Sequence, residues 1–440
     1  MKAIFLAALF FLTPFCLFAF DTEFSFSLLS DISSPLPYAK RWGELSQAEI
    51  KGNLELYLYA NDKTTFFVNG QVILDPIASL SDSFDLGTGE QHLGLALKEA
   101  WLDYNSDYWA IRVGRQISAW GKADLLTVTN VLCPRNFTSF NFLDMSDTYL
   151  GIDAVRLTFK NDVYSLDLYW IPVFRKSALP VSGKHYIQKV LSDSDEFPLP
   201  EFRNISPDPK FENFEYGLKA SAYWKYADVS LYGFYGFDRL PSSFNIDALF
   251  GYFNMEYNRS LMFGADASIP LGDVVLRLEG TFFHDATIPI TNFDLSNIGI
   301  DNIKDLFNDN YEFGYKKREK LVMLAGLDWM PSGWILSAQY YGDLVFGDMG
   351  ELNRKNYVHI VTLAASKSFF KDTLTLSLAG LLQFEEWNNM LLLNASYNAT
   401  DALVLSASVY CVNIFSDLGL KTLNELSYWG GATISAKYSF

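Results

Sequence analysis

The residues best equipped for chemistry cluster between Arg112 and Asn136. The stretch reads Arg-Val-Gly-Arg-Gln-Ile-Ser-Ala-Trp-Gly-Lys-Ala-Asp from Arg112 to Asp124. It continues through Thr127 and Asn130 to Pro134-Arg135-Asn136. Arg115, Trp120, Lys122, Asp124 and Arg135 combine both signs of charge with one aromatic platform. Placed at a narrowing, such a set selects ions or solutes, because selectivity follows the charges at a constriction. Gly114 and Gly121 permit bends or close backbone approach. The plainer reading is that Arg112 or Arg115 pairs with Glu99 or Asp124 only to pin a loop, since structural ion pairs resemble functional ones.

Other chemistries find little support. His92, His185, His284 and His359 are scattered without metal-ligand spacing, so no metal and no cofactor is expected. There is no Gly-x-Ser-x-Gly elbow, no phosphate loop and no assignable Ser–His–acid set, so no catalytic residue and no enzyme is expected. Asp301 to Asn310 is acidic but lacks calcium-loop spacing. Against 51 acidic residues stand 34 Lys and Arg, a net charge of -17. That balance excludes the basic footprint of a nucleic-acid binder. Cys133 and Cys411 are too few for a disulfide framework and are read as free, the first in a loop and the second on a strand.

The elements that must position these residues are strands. Leu54, Leu56 and Leu58 alternate with Asn53, Glu55 and Tyr57. Val274, Leu276 and Leu278 alternate with Arg277 and Glu279, and Leu374, Leu376 and Leu378 with Thr375, Ser377 and Ala379. Period 2 over several residues marks half-buried strands. Short turns such as Asn61-Asp62, Asn161-Asp162, Pro331-Ser332-Gly333 and Lys371-Asp372 join them in pairs. Longer connections lie near 75–93, 119–148, 174–212, 239–255 and 285–317. Strand starts fall near 22, 48, 63, 94, 108, 149, 163, 213, 228, 256, 272, 318, 333, 356, 372, 388, 402 and 428. That makes eighteen strands, with sixteen as the alternative.

Short turns alternating with long loops are the pattern of a transmembrane antiparallel up-and-down β-barrel. In hydrocarbon, backbone groups of strands are satisfied only in a closed sheet. No apolar run after residue 20 reaches the roughly 18 residues of a membrane helix. Aromatic residues (37 Phe, 25 Tyr and 10 Trp) gather near strand ends, where girdles meet the membrane boundary. A soluble β-sandwich is the competing fold, but it gives no reason for two such unequal loop classes. Parity then sends apolar residues to lipid and polar ones to the lumen. By this rule Glu99, Asp103, Arg112, Arg156, Asp167, Lys219, Asp266, Arg277, Glu279 and Asp328 are pore-lining candidates. A charge on the lipid face near the midplane costs about 2–4 kcal/mol. The parity is clear for Asp167, Lys219, Arg277 and Glu279. At Glu99 it conflicts with Lys98, which would then face lipid unless it lies near the rim.

Residues 1–20 read as a signal peptide, with Lys2, the apolar run Ala3 to Leu12, and a closing region from Pro14 to Ala19. Lipidation at Cys16 is disfavoured by bulky Phe15. Residues 21–440 form a single barrel domain. At its end, Ile434, Ala436, Tyr438 and Phe440 share the lipid face, and Ser435 and Lys437 the lumen face.

The Gly-Arg-Gln…Trp-Gly-x-x-Asp segment with its Pro-Arg-Asn turn resembles a group of porin-like outer-membrane β-barrels of diderm bacteria, over roughly residues 108–160. In that group an Asp follows the Pro-Arg/Lys pair, where this chain has Asn136. The ending Tyr438-Ser439-Phe440 resembles the assembly signal read by the barrel-assembly machinery. The resemblance implies export to the bacterial outer membrane, lipid as surroundings and the assembly machinery as a partner. The expected function is a channel for diffusion of small solutes, with loop 119–148 as candidate constriction. A transporter of hydrophobic or amphipathic molecules, suggested by loop residues Phe137, Phe140, Phe142, Phe244 and Phe250, and a surface adhesin are the alternatives. Solute identity and oligomeric state are not encoded in any recognisable pattern.

Overall fold

A computed structural model describes residues 21–35, 45–75, 93–123, 126–138, 148–179, 201–247, 252–289, 311–313, 315–350, 354–414 and 428–440. The signal-peptide reading, Asp124, Phe140, Phe142, Phe250 and the segment 301–310 lie outside the described residues. So do most of loop 75–93 and parts of the other four long loops.

Eighteen strands form one closed antiparallel sheet. They are β1 (Asp21–Pro35), β2 (Gln47–Asn61), β3 (Thr64–Leu74), β4 (Leu93–Asn105), β5 (Trp109–Gln116), β6 (Ile152–Lys160), β7 (Tyr164–Val173), β9 (Glu215–Trp224) and β10 (Ala227–Phe237). The second half contains β13 (Arg259–Leu271), β14 (Val274–Pro289), β16 (Tyr315–Trp329), β17 (Trp334–Val345), β18 (Tyr357–Phe369), β19 (Leu374–Gln383), β20 (Asn389–Asn398), β21 (Leu403–Asn413) and β22 (Tyr428–Ser439). Each strand pairs with the next, and β1 closes on β22 from Ser27↔Ser439 to Pro35↔Gly431. The count is eighteen, and every strand begins within three residues of its sequence-based start. Alternation and turn chemistry are local properties, which is why they locate strands so closely.

The sequence reading missed a second, four-stranded sheet. It joins β8 (Glu201–Ile205), β11 (Ser243–Asp247), β12 (Tyr252–Glu256) and β15 (Tyr311–Phe313). These short segments come from three of the long loops, and β8 runs parallel to β12. The sheet therefore belongs to the loop end of the barrel, opposite the tight-turn end.

The outward surface is apolar: Leu54, Leu231, Phe263, Leu327, Leu363, Leu393 and Ile434 are all exposed. At the turn end Trp109, Tyr164, Trp224, Trp329, Trp334 and Phe369 form an outward aromatic girdle. Lys367 lays its ammonium 4.8 Å from the Trp334 ring, so even this outward charge sits at the girdle, not in the apolar belt.

The inner face departs from the simple parity rule. Over β18–β22 it is mostly small and polar, with Ser366 bonded to Ser377 at 2.9 Å and Ser368 to Thr375 at 3.0 Å, apart from the buried pair Leu392 and Tyr410. Over the loop-side halves of β6, β7, β10 and β13 it is apolar instead. Ile152, Ala154, Tyr169, Ile171, Tyr232, Phe234 and Met262 are buried there in one cluster with Trp120, Leu132 and Cys133. Both faces of these strands are apolar there: one is part of the barrel's exposed apolar outer surface and the other meets a loop folded into the barrel.

Candidate functional site: the inward loop and the lumen

The loop leaves β5 at Gln116 and turns inward. Gly114 has φ +125°, and a Cβ there would stand 2.2 Å from the Ala100 carbonyl oxygen, so only glycine fits this bend. Gln116 is fully buried, and its side-chain amide donates to the Ala154 carbonyl at 3.0 Å. The Ile117 amide donates to Glu99 Oε2 at 2.8 Å, fastening the loop root to β4. Ser118 Oγ and Tyr169 Oη share a hydrogen bond of 2.7 Å.

Trp120 follows, 1 % exposed, with ring centroids 5.8 Å from Tyr169 and 4.9 Å from Tyr232. Trp120 is thus the loop's apolar anchor on the wall; the reading of it as a rim platform is corrected. Burying its side chain stabilises the docked loop by more than a small residue could, since aromatic side chains bury about 150–250 Å² each.

Glu279 on β14 is the second anchor. Its Oε1 accepts the amides of Lys122 and Ala123 at 2.6 and 2.7 Å. Its Oε2 accepts the amides of Val128 and Thr129 at 2.9 and 3.3 Å and the Thr129 hydroxyl at 3.2 Å. Converging amides solvate a buried carboxylate in place of water. Gly121, at φ +100°, makes room: a Cβ there would lie 2.7 Å from both Glu279 Oε1 and Thr129 Oγ1. The Trp-Gly pair of the motif is thereby explained by one docking surface.

Neighbouring wall residues complete it. Arg277 Nε bonds Asp328 Oδ2 at 2.5 Å, and its NH1 donates to the Lys122 carbonyl. Tyr232 donates its hydroxyl proton to Asp266 and accepts the Gly121 amide at 3.3 Å. Thr281 Oγ1 donates to the Val128 carbonyl at 3.0 Å. Val322 and Leu324 of β16 pack on Ala123 and Val128. Glu279 and Arg277 thus bond the loop directly, while Asp266 and Asp328 bond Tyr232 and Arg277 behind it.

The loop's second half is held by Arg239, Glu215 and Ser177, which the sequence reading did not single out, together with Arg135 and Asn136, which it did. Arg239 NH1 bonds Glu215 Oε2 at 2.9 Å, with both side chains buried, and its Nε donates to the Leu132 carbonyl at 2.9 Å. Arg135 donates its backbone amide to Ser177 Oγ at 3.0 Å and its NH2 to Thr127 Oγ1 at 3.0 Å. Asn136 Oδ1 accepts the Thr138 amide at 3.0 Å and hydroxyl at 2.6 Å. The carbonyl of its amide thus makes a turn cap here without any carboxylate.

Arg115 sits elsewhere. It forks onto Asp153, Nε to Oδ1 at 2.8 Å and NH2 to Oδ2 at 3.0 Å. Asp153 alternates with inward-facing Ile152 and Ala154, so the pair occupies the outward row of β5 and β6. Arg115 is a wall contact, and its place in the rim is corrected for that reason.

The remaining wall candidates lie outside these loop contacts. Asp103 and Arg112 pair at 2.8 Å, with the guanidinium 3.8 Å from the Trp101 ring. Arg156 stands directly across from Arg112 on β6. Asp167 accepts the Thr158 hydroxyl and opposes Lys219. Lys122 extends its ammonium to 5.9 Å from the Tyr223 ring. The conflict at Glu99 is resolved by a β-bulge. Glu99 pairs Asn69 while Leu97 pairs Gly70, so Lys98 is the extra residue. Lys98 and Glu99 consequently line the same cavity of about 420 Å³, together with Lys51, Glu55, Asn69 and Lys437. Cys133 and Cys411 are free, the first a loop residue buried in the cluster against the wall. Among the described residues, His284, Asp285 and Glu319 are the one cluster of metal-ligand types; His284 and Asp285 are exposed and Glu319 is half-buried, with His284 Nδ1 bonded to Glu319 at 2.6 Å.

The same architecture recurs in solved structures. OccK9 (OpdG) of Pseudomonas aeruginosa superposes with a TM-score of 0.54 at 10% identity, covering 96% of this chain and 98% of that one. OccAB2 of Acinetobacter baumannii gives 0.54 at 8% identity with the same coverages. OccK8 (OprE) of Pseudomonas aeruginosa gives 0.53 at 10% identity, again covering 96% and 98%. At such identities the likeness is one of fold. No curated protein matches the sequence. The model of one family matches residues 38–407, most of the barrel, and the chain belongs to that family, described as "Protein of unknown function (DUF1302)".

Proposed function

We propose that the protein is an outer-membrane channel through which small hydrophilic solutes diffuse past the inward loop. The observation that carries this reading is the division of the lumen. The loop is docked against β6 to β17, while the wall over β18–β22 and β1–β4 stays polar. A barrel of this strand number encloses an aqueous passage unless loops fill it, and here the loop occupies one side. The constriction lies between that loop and the charged wall of Glu99, Asp103, Arg112 and Arg156, with Lys122 reaching in from the loop. Charges of both signs at a narrowing sort solutes by charge distribution. The apolar outer belt and turn-end girdle support residence in the bacterial outer membrane, with Tyr438 and Phe440 on the closing strand as the assembly signal.

Planar-bilayer recording of the purified protein tests the reading. Discrete conductance steps are expected, and Arg112→Gln should shift the channel's preference towards cations. Absence of current in several independent preparations would refute it.

A further inference from the structure

Three side chains of metal-ligand type meet at the loop end of β14 and β16, a meeting that spacing along the chain does not show. His284 follows Phe282 by two residues, so it stands on the row whose Leu278 and Phe282 are exposed on the outer surface. Glu319 shares the corresponding row of β16 with exposed Met323 and Leu327. A β-bulge brings in the third group. Phe283 pairs Lys320 and Ala286 pairs Arg318, so His284 and Asp285 together stand opposite Glu319 alone. Asp285 takes the extra position at φ +57°, a left-handed conformation that Asp adopts more readily than most residues.

The polar contacts of these side chains are with one another. His284 Nδ1 lies 2.6 Å from Glu319 Oε1, and His284 Nε2 lies 3.7 Å from Asp285 Oδ2. Among the described residues, no Lys or Arg pairs with either carboxylate. Lys317, next along the same row of β16, is near enough to feel the charge of Asp285. Its ammonium, however, donates to Thr287 Oγ1 at 2.7 Å and to the Arg259 carbonyl at 3.2 Å. Two carboxylates therefore share one imidazole. Side-chain exposures of 52, 61 and 38 % for His284, Asp285 and Glu319 leave all three open to an ion from solvent.

One ligand atom from each residue lies within 4.8 Å of the other two. Ligand atoms around a tetrahedral zinc stand about 3.3 Å apart, given bonds of about 2.0–2.1 Å. Settling around an ion thus takes shifts of about an ångström, which side chains this exposed can make. Imidazole beside carboxylate suits a first-row transition dication, whereas calcium and magnesium take oxygen ligands. Three protein ligands leave a fourth position to water.

We propose that His284, Asp285 and Glu319 bind a first-row transition dication of the Zn²⁺ class on the loop-end rim of the barrel. The ion joins β14 to β16 across the bulge. The site lies outside the lumen and does not rest on the channel reading.

Calorimetric titration of ZnCl₂ into the tag-free full barrel in phospholipid nanodiscs, against empty discs, tests the proposal. One saturable Zn²⁺ site is expected, and about a hundredfold excess of Ca²⁺ or Mg²⁺ should not displace the ion. His284→Ala and Glu319→Gln should each weaken it at least tenfold, since loss even of outer-shell partners costs that much. Both variants should migrate as folded barrels on gels, because the altered side chains are outside the core. His359→Ala, which removes the other described histidine, should leave the site unchanged. No saturable zinc binding, a site that survives in His284→Ala, its loss in His359→Ala, or equal competition by Ca²⁺ would each overturn the proposal. A barrel that binds zinc but passes no current refutes the channel and leaves this site standing, and a conducting barrel without the zinc site does the reverse.

Discussion

Replacing Glu279 by Gln isolates the bond set that keeps the loop inside the barrel. The two side chains have nearly the same shape, but a glutamine offers one acceptor oxygen where glutamate offers two. Two donors converge on Oε1 and three on Oε2. Whichever way the new amide points, its NH2 faces at least two hydrogen-bond donors. Each buried donor left without an acceptor costs about 1–3 kcal/mol, so the loss is about 2–6 kcal/mol at minimum. Even 2 kcal/mol shifts a docking equilibrium by roughly 30-fold. The barrel ladder is built from backbone bonds and does not need this carboxylate. The expected result is therefore a folded barrel whose segment 121–129 leaves the wall. In bilayers, Glu279→Gln should flicker or carry a changed unitary current. In solution, trypsin should cut after Lys122, whose following amide is no longer held. Gly121→Ala should give the same phenotype from the loop side, since its Cβ would displace the carboxylate. A Glu279→Gln barrel that conducts like the parent and resists trypsin equally would refute the anchoring role.

Two further outcomes are expected. Glu215→Gln leaves Arg239 buried and without its counter-charge, so it should lower stability by about 3–5 kcal/mol; a Glu215→Leu/Arg239→Met pair should lose less, and heat-modifiability on gels reads the difference. Burial pushes the Cys133 thiol up to about 11, so its thiolate is roughly a thousandth of the population at pH 8. A water-soluble maleimide should therefore label Cys133 only after unfolding, and labelling of the native barrel at the rate of a free thiol would contradict the docked position of the loop.

The loop-end cavity and the turn-end cavity divide the molecule's two surfaces by chemistry. One sets Phe234, Phe283 and Ile288 beside Arg135, Asp238 and Lys320, and the other carries Lys51, Glu55, Lys98 and Glu99.

Much of the wall was legible from the sequence because period-2 alternation and turn residues act over a few neighbours. Strand starts, the even count, the two loop classes and the outward placement of Leu54, Leu278 and Leu376 follow from them. A further signal was present at Ile152, Ala154, Tyr232 and Phe234: strands apolar on both faces imply that something inside covers one of them. What only tertiary structure decided is which distant groups meet. Glu279 finds its donors about 150 residues earlier in the chain, and Arg239 finds the Leu132 carbonyl 107 residues away. Lys98 turns inward because a bulge in the β3–β4 register shifts its side, and such a shift depends on the partner strand. Arg115 and Trp120 carried the right residue types for a constriction, yet packing turned one outward and buried the other. Residue type and spacing set the faces of a strand; closure of the barrel determined which faces were left for a solute.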